Sequence, residues 1–244
     1  PSQPDISPGE GTFVNPFNAT ITSDDPGIII YTTDGSMPSA ENGTPYTGPV
    51  QIDSSTPLRA VVIWGDTVSK PQTKSYLRLA GGLETYTSPL PIAIIDNFGG
   101  GPIPNRGWSF DTQTSAGLQQ LPRQPACLHL IDTDPESGRA TITGIHDLTE
   151  RIGIRVRGSF SSTWNPKPYS LETWDEYDTD KTTNPLGLPG ESDWILYYPH
   201  PLYDRQLIAN TFSWELSRQT GRYGTRFRFV DTFINEDGGE VSPV

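Results

Sequence analysis

The hydrophobic positions in the first third of the chain fall into short runs separated by turn-forming residues. The runs are rich in β-branched and aromatic side chains, which favour strands, and Gly, Pro, Asp and Asn fill the gaps. Six of these runs predict strands: residues 12–14, 19–23, 28–33, 50–52, 58–64 and 74–79. Short strands at this spacing are typical of a β-sandwich, which we predict over residues 1–79.

The pattern changes after the sandwich. Residues 80–90 combine Gly, Thr, Ser and Pro and predict a linker. Residues 91–152 predict a β-rich region, with strands over 90–95, 126–131 and 139–143.

Residues 153–158 alternate strictly between apolar and charged side chains. This period of two predicts a strand with Ile154 and Val156 on one face and Arg155 and Arg157 on the other.

One helix is predicted near the end of the chain. Ile208, Phe212 and Leu216 recur every four residues, and Asp204 is placed to cap the helix start. Residues 226–235 alternate again and predict a strand. We therefore expect a mainly β protein with a minor α component, in which a β-sandwich is followed by a β-rich α+β half-domain.

Composition and charge exclude some classes of function. The chain has 244 residues with 24 Gly and 24 Pro, and its formal net charge is −12. An acidic surface repels phosphate backbones, so nucleic-acid binding is not expected. Cys127 is the single cysteine, which leaves no intrachain disulfide.

No apolar run reaches the roughly 18 residues that a membrane-spanning helix needs. The chain begins with the linker-like sequence Pro1-Ser2-Gln3-Pro4. These features suit a segment of a secreted or cell-surface protein, and the scarcity of cysteine favours a bacterial source.

The first region resembles a known family. Four segments carry the resemblance: Ile6-Ser7-Pro8-Gly9, Gly11-Thr12-Phe13, Ile30-Tyr31-Thr32-Thr33-Asp34-Gly35-Ser36-Met37-Pro38 and Leu58-Arg59-Ala60-Val61. Together they are similar to the chitobiase/β-hexosaminidase C-terminal domain family. The resemblance implies an immunoglobulin-like sandwich that carries no catalytic residue.

Six linked segments further along resemble the amino-terminal half of the CotH kinase family: residues 155–162, 166–172, 184–188, 191–197, 204–210 and 229–235. They include Arg-Val-Arg-Gly-Ser-Phe-Ser-Ser, Pro-Lys-Pro-Tyr-Ser-Leu-Glu and Phe-Val-Asp-Thr-Phe-Ile-Asn. Over residues 153–244 the resemblance implies an incomplete domain of an atypical kinase-like fold. Its complete form would transfer a phosphoryl group from ATP, with Mg²⁺, to protein serines.

The resemblance also suggests where phosphates would bind. Arg157, Ser159, Ser161, Ser162 and Lys167 lie around one strand-to-strand loop and offer cationic and hydroxyl groups to a nucleotide. The alternative is that the arginines are paired surface residues and that the lysine is simply solvated.

The sequence departs from the family at two points. Lys167 is followed by Pro168 where many members carry a second lysine. The family's later metal-holding Asp and Asn residues have no counterpart before Val244. We therefore expect this chain alone to be non-catalytic.

Residues 132–138 hold a second candidate site. Asp132, Asp134 and Glu136 are spaced like the start of a calcium loop, although the distal glutamate of an EF-hand is missing. A plain hairpin turn is the alternative interpretation.

Two further functions stay open. The chain could be a structural building block of a surface layer, appendage or filament that associates with a protein partner or itself through its C-terminal edge strand. It could also bind carbohydrate by stacking sugars on Trp64, Trp108 or Trp164.

Overall fold

The computed structural model describes residues 1–105, 122–158 and 160–243. Its first region is a two-sheet sandwich, as predicted. One sheet has the strand order β1-β3-β6 and the other β2-β9-β7-β4-β5, with β8 paired to β7. The strands are β1 Asp5–Ser7, β2 Gly11–Phe13, β3 Phe17–Thr22, β4 Ile28–Thr32, β5 Thr44–Pro45, β6 Val50–Ile52, β7 Thr56–Trp64, β8 Thr67–Val68 and β9 Gln72–Arg78.

The sandwich core lies between these two sheets. It is built from the following buried side chains: Ile6, Ala19, Ile21, Val50, Ile52, Leu58, Ala60 and Tyr76. The ring of Phe17 meets Tyr76 edge-on at a centroid distance of 5.1 Å. The Tyr76 hydroxyl donates to the Pro8 carbonyl at 2.7 Å, and burial raises the pKa of Tyr76. A tyrosine that is hydrogen-bonded in this way stabilises the core with both its ring and its hydroxyl.

The second region is organised around a six-stranded sheet of order β16-β15-β14-β12-β11-β17, and a short ladder joins β10 to β13. All neighbours in the large sheet are antiparallel except β11 and β17. The elements are β10 Thr87–Ser88, β11 Ile92–Asp96, β12 Gln124–Ile131, β13 Ala140–Thr141, β14 Leu148–Val156, β15 Tyr169–Trp174, β16 Asp193–Leu196, α1 Ala209–Gln219 and β17 Asp231–Asn235. The predicted fold class is confirmed.

Both faces of the sheet are buried around β11, β12 and β17, because these strands alternate between two cores. Ile92, Ile94 and Cys127 point into one core, while Ala93 and Leu128 point into the other. Burial raises the pKa of the Cys127 thiol, which is nearly inaccessible to solvent. Cys127 is therefore a packing residue.

The last strand of the sandwich contributes to the core of the second sheet. Leu77 and Leu79 pack in the same cluster as Ile92, Ile94 and Phe233. The backbone reinforces this contact, because the Ala80 N–H donates to the Val241 carbonyl at 2.9 Å. The two regions therefore share one hydrophobic core.

The segment predicted as a linker takes part in this junction. Residues 80–90 contain a 3₁₀ turn, Leu83–Thr85, and the strand β10, and the Leu83 side chain is buried in the shared core. The sequence did not predict that this segment joins the core, because Leu83 is flanked by glycine and polar residues.

A buried arginine joins the regions through polar contacts. Arg59, on β7, is almost fully buried and donates to the Gly35 carbonyl at 3.2 Å and to the Glu176 carbonyl. The Glu176 carboxylate accepts from the backbone N–H and the hydroxyl of Thr73, at 3.0 and 2.6 Å. A loop of the second region is thus held against β7 and β9 of the sandwich.

Two histidines meet at the same junction. Their Nδ1 atoms lie 2.7 Å apart, so that one ring donates and the other accepts. His129 is fully buried, and His146 lies beside Gly11 of the sandwich. Burial lowers the pKa of both rings, while Glu10 and Asp147 act in the opposite direction on His146.

The predicted helix is present but differs at its start. It begins at Ala209, and Asp204 lies five residues earlier, where its carboxylate accepts the Ala209 N–H at 2.7 Å. None of its residues is buried, so the apolar stripe of Ile208, Phe212 and Leu216 faces outward. The stripe predicted the helix correctly, and the structure adds that its side chains are exposed.

We predict that Leu79→Ala lowers the free energy of unfolding of the whole chain by about 2–5 kcal/mol, the usual cost of a cavity of this size. Because Leu79 lies in the shared core, sandwich and second sheet should unfold together. Urea unfolding followed by tryptophan fluorescence and circular dichroism tests this. Leu90→Ala, at a part-exposed site, is the control. Two separate transitions would contradict a shared core.

We also predict that acid destabilises the junction. A lowered histidine pKa means that the unfolded chain binds protons more readily, so stability is full above about pH 6.5 and falls as the pH drops below it. Between pH 7.5 and 5.5, His146→Asn should reduce the loss of unfolding free energy by up to about 1.4 kcal/mol relative to the parent. His200→Asn, which replaces a histidine outside the junction, is the matched control. Equal pH dependence of the parent and His146→Asn would refute the prediction.

Candidate functional site

The loop that joins β14 to β15 holds the predicted phosphate-binding residues. The Arg157 N–H donates to the Pro168 carbonyl at 3.0 Å and so extends the β14–β15 pairing by one bond. Inside the loop, residues Phe160–Thr163 form a 3₁₀ turn. The two ends of the loop are therefore hydrogen-bonded to each other, next to the paired strands β14 and β15.

Gly158 permits the tight start of this loop. Its φ of 94° lies in the left-handed region, and a Cβ there would come within 2.0 Å of the Ser161 Oγ. Only glycine allows the chain to turn back so closely on the serine. From outside the loop, the Asn105 side chain donates to the Ser162 carbonyl at 3.1 Å.

The predicted phosphate-binding residues differ in accessibility. Arg157 is exposed, and Ser161 and Lys167 are half-buried. Ser162 is buried, which turns its side chain away from solvent. Ser159 lies outside the described residues. The structure thus places Arg157, Ser161 and Lys167 in one loop where a ligand could reach them.

The alternation predicted for the strand before the loop is confirmed. Ile154 and Val156 are buried in the core, whereas Arg155 is half-buried and Arg157 exposed. In the ladder Arg155 lies opposite Ser170 of β15.

An arginine that the sequence did not single out lies at this face. Arg123 donates to the Ser170 hydroxyl at 2.9 Å and forms ion pairs with Glu172 and Asp193 at 3.2 and 2.8 Å. Its two carboxylate partners fix the position of its guanidinium group, so it links β15 to the edge strand β16. No local motif marks it, because its partners are about 50 and 70 residues away.

Four aromatic rings gather beside the loop. Trp164 stacks on Tyr203 with a centroid distance of 5.8 Å and an interplanar angle of 23°. His200 lies 4.8 Å from Trp164, and Phe160 meets the same indole edge-on at 6.4 Å. We call these four side chains the aromatic platform. Only Trp164 was a sequence candidate. Phe160 lies in the same loop, and His200 and Tyr203 reach it from residues 198–204.

The remaining tryptophan candidates are dispersed. Trp64 is more than half exposed, at the far end of β7 in the sandwich. Trp108 lies outside the described residues. Trp64 lies in a strand of the sandwich, whereas Trp164 lies in the loop between β14 and β15 of the second region.

The acidic loop at residues 132–138 forms a turn. The Asp134 carboxylate accepts the N–H groups of Glu136 and Ser137 at 3.2 and 2.8 Å, and these bonds lower its pKa. Asp132 Oδ1 accepts the Thr133 N–H. Within the part of the chain that the structure describes, no three His, Cys, Asp or Glu side chains are grouped to hold a metal ion. The three predicted carboxylates are therefore not brought together.

The described residues also contain no helix with the length and apolar character that crossing a membrane requires. The one α-helix among them has 11 residues.

Comparison with known proteins agrees with the two regions. Residues 8–75 match the family model described as chitobiase/beta-hexosaminidase C-terminal domain, and residues 154–239 match the family model described as CotH kinase protein. No curated protein and no solved structure gives a significant match. One segment of the chain is therefore similar to the chitobiase/beta-hexosaminidase C-terminal domain, and a later segment is similar to CotH kinase proteins.

Proposed function

We propose that the loop between β14 and β15 binds the phosphates of a nucleotide, as the nucleotide-holding part of an extracytoplasmic CotH-type protein serine kinase. The observation that carries this proposal is the accessible grouping of Arg157, Ser161 and Lys167 in one closed loop inside the CotH match. Location outside the cytoplasm is proposed from the pairing of the two families.

The loop offers the chemistry that a polyphosphate needs. Arg157 supplies a planar fork of N–H donors, and Lys167 supplies a mobile point charge. The Ser161 hydroxyl is a third donor, held over Gly158 by the turn. The Ser161 hydroxyl, which the turn already places, needs less ordering than the two cationic side chains when the ligand binds.

The aromatic platform is suited to the base of the same nucleotide. Phe160 and Trp164 belong to the phosphate loop itself, so a base stacked on their rings would sit beside bound phosphates. Tyr203 is mostly exposed and leaves one side of the platform open.

Phosphoryl transfer requires more than this loop. Catalysis would need Mg²⁺ to neutralise charge on the phosphates, and among the described residues no three Asp, Glu, His or Cys side chains are grouped to hold it. We therefore limit the proposal for this chain to nucleotide binding and assign transfer to the complete protein.

We predict that the chain binds ATP and that Arg157→Met and Lys167→Met each weaken binding. A hydrogen bond to a charged group contributes about 1.5–3 kcal/mol, which corresponds to roughly 10- to 150-fold in the dissociation constant. Isothermal titration calorimetry measures this, with Lys70→Met, an exposed lysine of the sandwich, as the charge-matched control. Absence of ATP binding, or equal affinities of parent and both variants, would overturn the proposal.

Inorganic triphosphate separates the two parts of the site. Trp164→Ala should weaken ATP while leaving triphosphate affinity unchanged, because triphosphate has no base to stack. A loss of both ligands would show that the tryptophan supports the loop and does not contact the base.

A further inference from the structure

A groove runs along the junction between the sandwich and the second sheet. It has two lobes of about 380 and 230 Å³, and Glu10 and Thr149 line both of them. Residues of β2 and β9 contribute from the sandwich, and residues of β14 and β15 contribute from the second sheet. The volume of the larger lobe lies in the range of roughly 300–1,000 Å³ that is usual for small-molecule sites, which favour interfaces between folded regions.

The lining of this groove is polar and includes one indole ring. Trp174 lies opposite Arg151 in the ladder of β14 and β15, and its ring packs against Gly153, where a Cβ would collide with it. The indole is therefore held close to β14 as a wall of the smaller lobe. We call the following residues of the two lobes the junction groove: Glu10, Thr12, Thr143, His146, Thr149 and Trp174.

His146 brings a buried polar atom to the larger lobe. Its Nδ1 is bonded to His129, whereas its Nε2 is buried and has no hydrogen-bond partner among the described residues. This Nε2 lies beside Gly11, where a Cβ would be 3.8 Å away, and both residues line the larger lobe. Because buried polar atoms are normally hydrogen-bonded, a polar group that enters the lobe is the expected partner.

The histidine pair decides whether this atom donates or accepts. In a neutral pair, the ring whose Nδ1 accepts carries its proton on Nε2. His129 is fully buried, and its Nε2 also has no partner within the described ranges. A proton there would be a buried N–H without an acceptor, which is the rarest kind of unpaired group. His129 therefore donates from Nδ1, and His146 presents an Nε2–H to the groove.

The charges at the groove are balanced within the protein. A cationic ligand would compete with the protein's own cations, and an anionic ligand would meet the carboxylates. A carboxylate that forms one ion pair still has free lone pairs, with which it accepts hydrogen bonds from neutral groups. The ion pairs at the groove are Glu10–Lys74, Glu150–Lys181, Glu176–Arg59 and Arg151–Asp178.

We propose that the junction groove binds a neutral carbohydrate chain, with one sugar ring in each lobe. A sugar hydroxyl both donates and accepts, so it accepts from the Nε2–H of His146, donates to Glu10 and exchanges hydrogen bonds with the threonine hydroxyls. The apolar face of a ring in the smaller lobe packs on the indole of Trp174. No residue of the junction groove lies in the loop between β14 and β15, so the inference is independent of nucleotide binding.

Isothermal titration calorimetry of the complete chain tests the proposal. The probes are cellotetraose and maltotetraose, two neutral glucose chains of different linkage, at up to about 10 mM, because carbohydrate sites of this kind are expected to bind in the range of about 1 mM or tighter. Tetraglucosamine, whose free amines are positively charged, is the charged comparison and should bind more weakly than the better neutral probe.

Two variants address the two lobes. Glu10→Ala removes the acceptor that both lobes share, and Trp174→Ala removes the indole of the smaller lobe. Each should weaken binding by about tenfold or more. Glu41→Ala and Trp64→Ala, which change an exposed carboxylate and an exposed indole of the sandwich outside the groove, are the matched controls and should bind as the parent does.

Thr149→Val keeps the test decisive if loss of the indole over Gly153 unfolds the chain. It removes one hydroxyl with little change of shape and should weaken binding by about 2- to 10-fold, the usual effect of one neutral hydrogen bond. Circular dichroism establishes that each variant is folded. Absence of binding by both neutral probes, or equal affinities of the parent, Glu10→Ala and Thr149→Val, would overturn the proposal. Tighter binding of tetraglucosamine than of either neutral chain would overturn the assignment to neutral sugars.

Discussion

The packing of Leu77 and Leu79 against the second sheet is the contact on which the rest of the structure depends. Leu77 lies in the last strand of the sandwich and Leu79 follows it directly, yet both side chains belong to the core that also holds Ile92, Ile94 and Phe233. A strand that serves two cores cannot move with one region independently of the other. The sandwich is therefore fixed relative to the second sheet. The polar contacts of Arg59 and the pair of His129 and His146 lie at the same junction between the two regions.

Much of this fold could be predicted because strands show a local alternation of apolar and polar residues in the sequence. The alternation over residues 153–158 correctly placed Ile154 and Val156 inside and Arg155 and Arg157 outside. No local pattern of this kind marks the residues of the junction. Arg59 and Glu176 are 117 positions apart in the sequence. His129 and His146 meet only because separate segments pack together in the folded chain. Side-chain partners at this range depend on tertiary packing, which periodicity does not encode.

The candidate site shows the same division. The motif around residues 155–168 predicted the loop and most of its polar groups, since these lie close together in the chain. The structure added two facts that depend on conformation. Ser162 is buried. The absence of a side chain at Gly158 leaves room for the Ser161 hydroxyl, which a Cβ at position 158 would displace. The aromatic platform could not be predicted either, because His200 and Tyr203 reach Trp164 from a segment about 40 residues away.

Helix α1 is the element for which local prediction and tertiary environment differ most. An apolar stripe with a spacing of four residues normally indicates a face packed on a core, and here the same stripe is exposed. The stripe is consistent with burial only if the covering atoms come from outside the described residues.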